Sequence, residues 1–505
     1  FIRHLRAVQL KSPAKAPCFE ECDSDEDGTR LKHRPLSFDE IDEERDPERI
    51  DDKDVLCVEL AGLTHDLGHG PFSHMFEEYM NHSRSQERAD GQKRKPFCHE
   101  EMSAKLLDQL LRVNNIDIAK YTPRLNRKDI EFVKILMTGL ADNARWQEDK
   151  WGRPESKRYL LEIVANKRNG LDVDKFDYFC RDSLSMHGNI PAHVPVMRII
   201  GSSRIIPAKS TIGYQEKTAH DILKVFQFRT TMHTEAYQHH TTKVVERMVQ
   251  DALAAAEDQF SIEGAGGRFI KLKDCDTDLE AYAKLGDWIL NAIESCPTQH
   301  SEAARILKRI RTRKFYKCVG DPVRLLTSSS RGTIEKEIKA QILDDDDGGG
   351  TWQNDVAVVI TSIHYGGKEK INGRTSYVNP VKKITFFNPK REETLYEGYE
   401  ITQAAYRNIL SPLLIPRSWS ETTVFVHSRS EESEDAIAEA FLKWSKQLEL
   451  NNESEPASTF RNGHTPSKRR RLEQSLSGQT GQAIQYSQNT LELTPTSRKP
   501  YRSKG

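Results

Sequence analysis

The sequence predicts a mainly α fold: a helical core, a smaller C-terminal α+β lobe, and a disordered acidic insertion and tail. Three observations carry this. Between residues 54 and 320, apolar residues recur at helical spacing in several windows. From residue 355 onward, β-branched and aromatic residues cluster in short runs. Residues 11–53 and 449–505 hold few apolar positions, too few to bury a core of their own.

The elements follow in order. Val55, Leu56, Val58, Leu60 and Leu63 suit a buried helix ending near Thr64. Ile130, Phe132, Val133, Ile135 and Leu136 mark another. Residues 218–257 read as one long helix or two in series. Glu263–Gly267 is glycine-rich but lacks a following Lys-Ser/Thr, so it reads as a turn rather than a phosphate loop. Asp355–Ile363, Val381–Phe387 and Thr422–Val426 read as strands, Asp344–Gly350 as a loop, and Ser433–Leu448 as an amphipathic helix. The expected division is 1–53, an acidic leading segment; 54–320, the helical core; 321–448, the α+β lobe; and 449–505, the tail.

Composition excludes several classes. Net charge is −1, so the whole-chain balance selects no partner. Eight cysteines are spread without a CxxC pair, which reads as reduced thiols. Asp23–Gly28 imitates the start of a calcium loop, but the twelfth position is Arg34 where Glu is required. No apolar run approaches the ~18 residues of a membrane span, and no signal peptide is read. The chain starts at Phe1, so further sequence upstream is expected. Lys468–Arg471 suits nuclear import, giving a nuclear location, with the cytoplasm as a second one.

The stretch that carries chemistry runs from Leu63 to Glu77. Adjacent His65 and Asp66 near a helix end can both reach one divalent metal that activates water. Gly68 and Gly70 leave room for the chain to turn close to a ligand. His69, His74 and Glu77 then bring further titratable groups over the site. Three histidines and two carboxylates on one Gly-punctuated turn are hard to explain as packing. Downstream, Asp174, Tyr178 and Asp182 fall at i, i+4 and i+8, on one helix face, with Phe176 and Phe179 anchoring the other. Asp174 can close the metal site, while Lys175 and Tyr178 can meet phosphate and sugar. His99-Glu100 is a pair in which Glu100 would hold the imidazole as an oriented proton donor.

Leu63–Phe76 together with Asn169–Asp182 resembles the HD superfamily, and more narrowly the eukaryotic SAM-and-HD-domain deoxynucleoside triphosphate triphosphohydrolases. The similarity runs from about Asp54 to Gly320, and more weakly to about residue 447. It includes Trp151-Gly-Arg-Pro-Glu155, Glu162–Asp172, Arg229 with Ala236–His239, Gly264–Gly267 and Lys317–Gly320. The resemblance implies an HD-type helical core and cleavage of dNTP to deoxynucleoside and inorganic triphosphate. It implies metal ligation by His65, Asp66 and Asp174, with His4 as the candidate for the family's earlier histidine. Residues 1–53 then hold a remnant of the HD start ahead of the acidic insertion. Substrate contacts would fall to His69, His74, Lys175, Tyr178, Asp182, Arg229, Tyr237 and Gln238. His99 would be the catalytic histidine, with His69 and Glu77 beside it; Glu77 stands where the family has a shorter Asp.

The resemblance also implies a nucleotide-dependent homo-oligomer, dimer to tetramer, with GTP and dNTP as activators. Arg198, Lys217, Arg313, Lys317 and Lys370 are similar to the family's activator contacts, but Gln215 and Asp221 replace a family arginine and asparagine. Iron, manganese, magnesium and zinc all suit a His/Asp site. Single-stranded nucleic acid is a further partner that the basic patches allow. Two other readings stand beside the dNTPase: an HD phosphohydrolase acting on another nucleotide, and an inactive nuclear homologue that binds nucleotide or nucleic acid.

Overall fold

The computed structural model describes residues 1–11, 49–86, 95–121, 123–141, 143–188, 194–258, 260–295, 301–325, 330–342, 352–371, 374–401 and 415–454. Most of the acidic segment, Asp344–Gly350, the tail beyond Ser454 and the Lys468–Arg471 block lie outside them. The helices begin with α1 (Ile2–Lys11), α2 (Asp52–Thr64), α3 (His74–Gln86), α4 (His99–Val113) and α5 (Arg127–Thr138). The expected helix ending at Thr64 is α2, and the one marked by Ile130–Leu136 is α5. Both start at capping boxes, Asp51/Asp54 and Asn126/Asp129, which satisfy their first free N–H groups.

Next come α6 (Glu148–Trp151), α7 (Val173–His187) and α8 (Val196–Gly201), then a hairpin of β1 (Ser203–Ile206) and β2 (Thr211–Gln215). The expected helix over 218–257 is two helices in series, α9 (Ala219–Met232) and α10 (His240–Ala256), joined by a π turn at His233–Tyr237. β3 (Ser261–Glu263) and β4 (Phe269–Lys271) form a short hairpin around the glycine turn. Then follow α11 (Leu279–Ala283), α12 (Trp288–Ser295) and α13 (Ser301–Arg311).

The C-terminal α+β part is present. It holds β5 (Lys317–Leu325), α14 (Arg331–Lys339), β6 (Val356–His364), β7 (Gly367–Ile371), β8 (Arg374–Val378), β9 (Thr385–Phe387), α15 (Glu392–Glu397), β10 (Tyr399–Glu400), β11 (Ser420–Ser428) and α16 (Glu434–Ser454). β11 lies between β5 and β6 and is antiparallel to both, placing Val424 against Ile360 and Val426 against Val358. The expected strand over Val381–Phe387 forms only at Thr385–Phe387. Pro380, lacking an N–H, opens a 3-10 turn over Pro380–Lys383 that Asn379 caps.

That part is joined to the core rather than free-standing. β9 pairs in parallel with β2, so one sheet runs β1-β2-β9-β10. Residues Phe1–Lys446 form one compact unit, and Gln447–Gly505 form another whose described portion is the end of α16.

Two apolar clusters fill the larger unit. One takes Val58 and Ala61 of α2, Phe132 of α5, Phe176 and Phe179 of α7, and Phe226 of α9. The other takes Met75, Phe76 and Met80 of α3 with Met248 and Leu253 of α10. The turn between α2 and α3 passes from one cluster to the other, and it carries His65 through Ser73. A buried ion network secures α2 beneath it: Arg153 Nε lies 3.0 Å from Asp54, its Nη1 bonds Asp129, and Lys157 Nζ lies 2.6 Å from Asp54. Two cations thus neutralise two carboxylates out of water, the condition for tolerating such burial.

Among the described residues Cys57, Cys98, Cys180, Cys275 and Cys318 are free thiols, as expected. No helix among them is long and apolar enough to cross a membrane.

Candidate functional site

α2 ends at Thr64, and the chain turns over Gly68 and Gly70 into α3. Both glycines are required by the packing of the chain on itself. A Cβ on Gly68 would stand 2.0 Å from the His99 carbonyl oxygen, and one on Gly70 2.3 Å from the Phe76 ring. The turn is therefore pressed against the start of α4. Ser103 of α4 clasps it: its hydroxyl accepts from Gly68 N at 2.7 Å and donates to the His65 carbonyl at 2.5 Å. Tyr282 Oη donates to Gly68 O at 2.7 Å. Phe72 and Ser73 sit at positive φ, 58° and 61°, a conformation side chains resist and functional turns often hold.

The turn gathers two clusters. In the first, His65, Asp66 and Asp174 each offer a ligand atom, all within 4.8 Å of one another. His65 Nε2 lies 3.3 Å from Asp66 and 3.4 Å from Asp174. Its Nδ1 lies 2.8 Å from the Gly62 carbonyl, which fixes the ring and directs Nε2 inward. The Asp174 hydrogen bond, with Asp66 adding, lifts His65 to about 9. The field at Nε2 thus favours positive charge, so the residues fit a divalent cation by donor type and by electrostatics.

In the second cluster, His69 stacks on His99 at 3.9 Å between ring centroids, and His74 stands edge-on to both at 5.0 and 5.1 Å. Glu77 Oε2 is 2.6 Å from His99 Nδ1 and 3.7 Å from His74 Nδ1. Burial alone would raise Glu77, but hydrogen bonds from His74 and His99 override it and hold the carboxyl down to about 2. Burial, with His99 beside it, lowers His69 to about 4. The carboxylate that orients His99 is therefore Glu77 rather than the expected Glu100, whose Oε2 stands 3.5 Å away. Successive residues on a helix do not face each other, so the partner comes from α3.

α7 presents Asp174, Tyr178 and Asp182 as expected. Lys175 Nζ lies 3.0 Å from the N-cap residue Asp172. Tyr237 Oη donates to Asp182 Oδ2 at 2.6 Å and its ring stands 6.1 Å from that of Tyr178. Arg229 bonds Tyr178 and the His364 carbonyl. Gln238 is occupied, its Oε1 accepting Ser362 N at 3.3 Å. The sequence reading missed His233. It lies one helical turn after Arg229, at the start of the π turn, with Nδ1 buried and unpartnered among the described residues. Burial and then Arg229 push it down to about 3. The i, i+4 spacing from Arg229 was the available signal.

His4 does not join the metal cluster among the described residues. α1 packs on β1, and His4 Nε2 lies 3.3 Å from the Ser203 carbonyl. The activator candidates lie on separate elements. Arg198 forms an ion pair with Asp221 at 3.3 Å and Lys317 one with Glu434 at 2.6 Å, while Lys217, Arg313 and Lys370 are exposed.

The HD domain family matches residues 39–178, a span that contains His65, Asp66, His69, His74, Glu77, His99 and Asp174. The deoxynucleoside triphosphate triphosphohydrolase SAMHD1 of Bos taurus is 30% identical over 79% of this chain and 66% of its own length. That of Danio rerio is 33% identical over 79% and 62%. The SAMHD1 homolog of Dictyostelium discoideum is 29% identical over 82% and 69%. The chain thus spans slightly under two thirds of the Bos taurus and Danio rerio relatives it matches. With His65, Asp66 and His69 on the turn facing Asp174, and these relatives aligned along most of its length, the chain carries an HD domain over residues 39–178 and is similar to the SAMHD1-type proteins.

Proposed function

We propose that the chain hydrolyses deoxynucleoside triphosphates to the deoxynucleoside and inorganic triphosphate. The observation that supports this best is the juxtaposition of the His65/Asp66/Asp174 cluster with the His99–Glu77 pair, beside a wall of Arg229, Tyr178 and Tyr237. Its relatives carry the same reaction in their names.

His65, Asp66 and Asp174 would hold the divalent cation. When bound, such an ion supplies Lewis acidity toward a phosphoryl oxygen and lowers the pKa of water. The chain's own residues do the rest. Water forms a bond to the α-phosphorus, and the bond from that phosphorus to the nucleoside 5′-oxygen breaks. Glu77 accepts a hydrogen bond from His99 Nδ1–H and fixes the ring, so that Nε2–H gives its proton to the departing 5′-oxygen, while the proton lost by the attacking water passes to solvent. Lys175 and Arg229 offset charge on the triphosphate. His69, held neutral by burial, and His74 line the same turn as donors to phosphate oxygens. The Tyr237 hydroxyl, tied to Asp182, stands at the sugar and selects against a ribose 2′-hydroxyl.

GTP and dNTP are proposed as activators that draw copies into a dimer or tetramer through Arg198, Lys217, Arg313, Lys317 and Lys370. The Arg198–Asp221 and Lys317–Glu434 pairs must open for that, so activation is expected at higher nucleotide concentration than in a site with free cations. Light scattering with and without GTP measures it; a mass that stays monomeric removes the activator role. Lys468–Arg471 is proposed to direct the chain to the nucleus. The hydrolysis itself is tested by separating the products of dGTP and dATP with Mg²⁺ or Mn²⁺, in the chain and in His65→Ala.

A further inference from the structure

A cavity of about 590 Å³, lined from the 140–168 stretch and by Lys209 and Ser210 and sharing no described residue with the His65 turn, lies within the size range of ligand sites. Its charge is one-sided. Arg145, Arg158, Lys167, Arg168 and Lys209 line it. The carboxylates on its wall are Glu155 and Glu162, and Glu162 is already committed. It accepts from Thr211 Oγ1 at 2.5 Å and from Ile212 N at 3.1 Å, and it pairs with Arg168 at 3.2 Å. Arg158 is held in place by the Ala144 and Ala141 carbonyls at 3.1 and 3.0 Å, with Glu155 3.6 Å away. Arg145 and Lys209 have no hydrogen-bond or ion-pair partner among the described residues, and both are exposed at the mouth.

Like charges converging on one concavity, with anchored guanidinium groups behind and free cations in front, form an anion trap. Among the described residues no aromatic side chain lines the cavity, so they offer no platform on which a base could stack. We infer that this cavity binds a polyphosphate chain, recognised by its phosphates and not by a nucleoside.

The cavity also touches the catalytic histidine at one remove. Lys167 Nζ lies 3.4 Å from Glu100 Oε1, and Glu100 Oε2 lies 3.5 Å from His99 Nδ1. A polyanion that draws Lys167 toward itself releases Glu100, which then competes with Glu77 for the His99 Nδ1 proton. Occupancy therefore lowers turnover. This last step rests on the hydrolase reading; the binding site does not.

The probe is inorganic tripolyphosphate, titrated calorimetrically into the full chain and into the double variant Arg145→Glu with Lys209→Glu. The variant is expected to bind one tripolyphosphate fewer per chain, whether or not the His65 turn binds one too. Equal stoichiometry and affinity in the two proteins overturn the site. The milder pair Arg145→Gln with Lys209→Gln repeats the test without charge reversal. A nucleoside triphosphate that binds the cavity more tightly than tripolyphosphate does would show that a base is recognised, and would overturn the assigned ligand class. In steady-state assays, tripolyphosphate is expected to lower kcat in a way that excess dNTP does not relieve, and this component should vanish in the variant. Purely competitive inhibition in both proteins overturns the coupling while leaving the site. A chain without dNTP turnover sinks the hydrolase reading, and the calorimetry still decides the cavity.

Discussion

Glu77 is the residue on which the chemistry of the turn converges. Its single Oε2 faces both His99 and His74, and its strongly depressed pKa keeps it an acceptor throughout the working range of an enzyme. Glu77→Gln preserves shape but removes the charge that orients His99. The expected result in steady-state kinetics is a fall of about 100-fold in kcat with KM little altered, the scale of a lost acid-base contribution. An equal loss in kcat and a large rise in KM would instead assign Glu77 to substrate binding. The residues of this cluster were legible in the sequence because they are crowded into one short stretch. Their pairing was not. Adjacency suggested Glu100 for His99, whereas the rotation between neighbouring helical positions hands the role to α3. His4 was drawn in by position in a motif, and the structure gives its Nε2 to Ser203 instead.

At the scale of elements, the site is a turn held between two helices and pressed onto a third. Gly68 is where that contact is closest. Gly68→Ala forces α4 away from the turn and carries His99 with it. A displacement of about an ångström at reacting groups is worth about 100-fold in rate, and kcat/KM is expected to fall by that order while the far-ultraviolet circular dichroism keeps its helical form. Unchanged kinetics would mean that the turn and α4 are not rigidly coupled. The sequence announced α2, α5 and the α9–α10 pair through their apolar period, which is a local signal. Of the strands it announced β6, β11 and, in part, β9, but it missed the short β1, β2 and β10. The β2–β9 pairing that makes one sheet of them links segments far apart in the chain, so no local pattern marks it. The π turn at His233 was hidden for the same reason: one extra residue in a helix leaves the apolar period almost unchanged.

For the molecule as a whole, the question is how the helical core holds the C-terminal sheet. A polar network does part of it. Arg429, just beyond β11, pairs with Asp251 of α10 at 2.7 Å and bonds the Val356 carbonyl of β6, while Arg247 reaches Glu335 of α14 at 2.7 Å. Burial alone would raise Asp251, but Arg247 and Arg429 override it and hold its carboxyl below the usual range. Its folded pKa thus lies below the unfolded value of about 3.9. The stability it contributes is present above that value and is lost as pH falls through the folded pKa. Asp251→Asn leaves two arginines uncompensated, so urea unfolding should show it less stable than the parent at pH 7, by about 3 kcal/mol or more. The difference should shrink below a pH of about 4. A gap that stays constant across that range would show that the charge of Asp251 is not what joins core and sheet. The sequence separated these parts at residue 320 by composition, and composition carries no record of a strand from one part pairing with a strand from the other.

The central claim is that the His65–Asp66–Asp174 cluster and the His99–Glu77 pair together hydrolyse dNTPs at the α-phosphate. The most direct test is product analysis: purified chain, dGTP and dATP, Mg²⁺ or Mn²⁺ with and without GTP, with deoxynucleoside and phosphate species separated by chromatography. The account predicts deoxynucleoside and intact triphosphate in equal amounts, abolished in His65→Ala and Asp174→Ala. Release of single phosphates or pyrophosphate, or full turnover in His65→Ala, would contradict it.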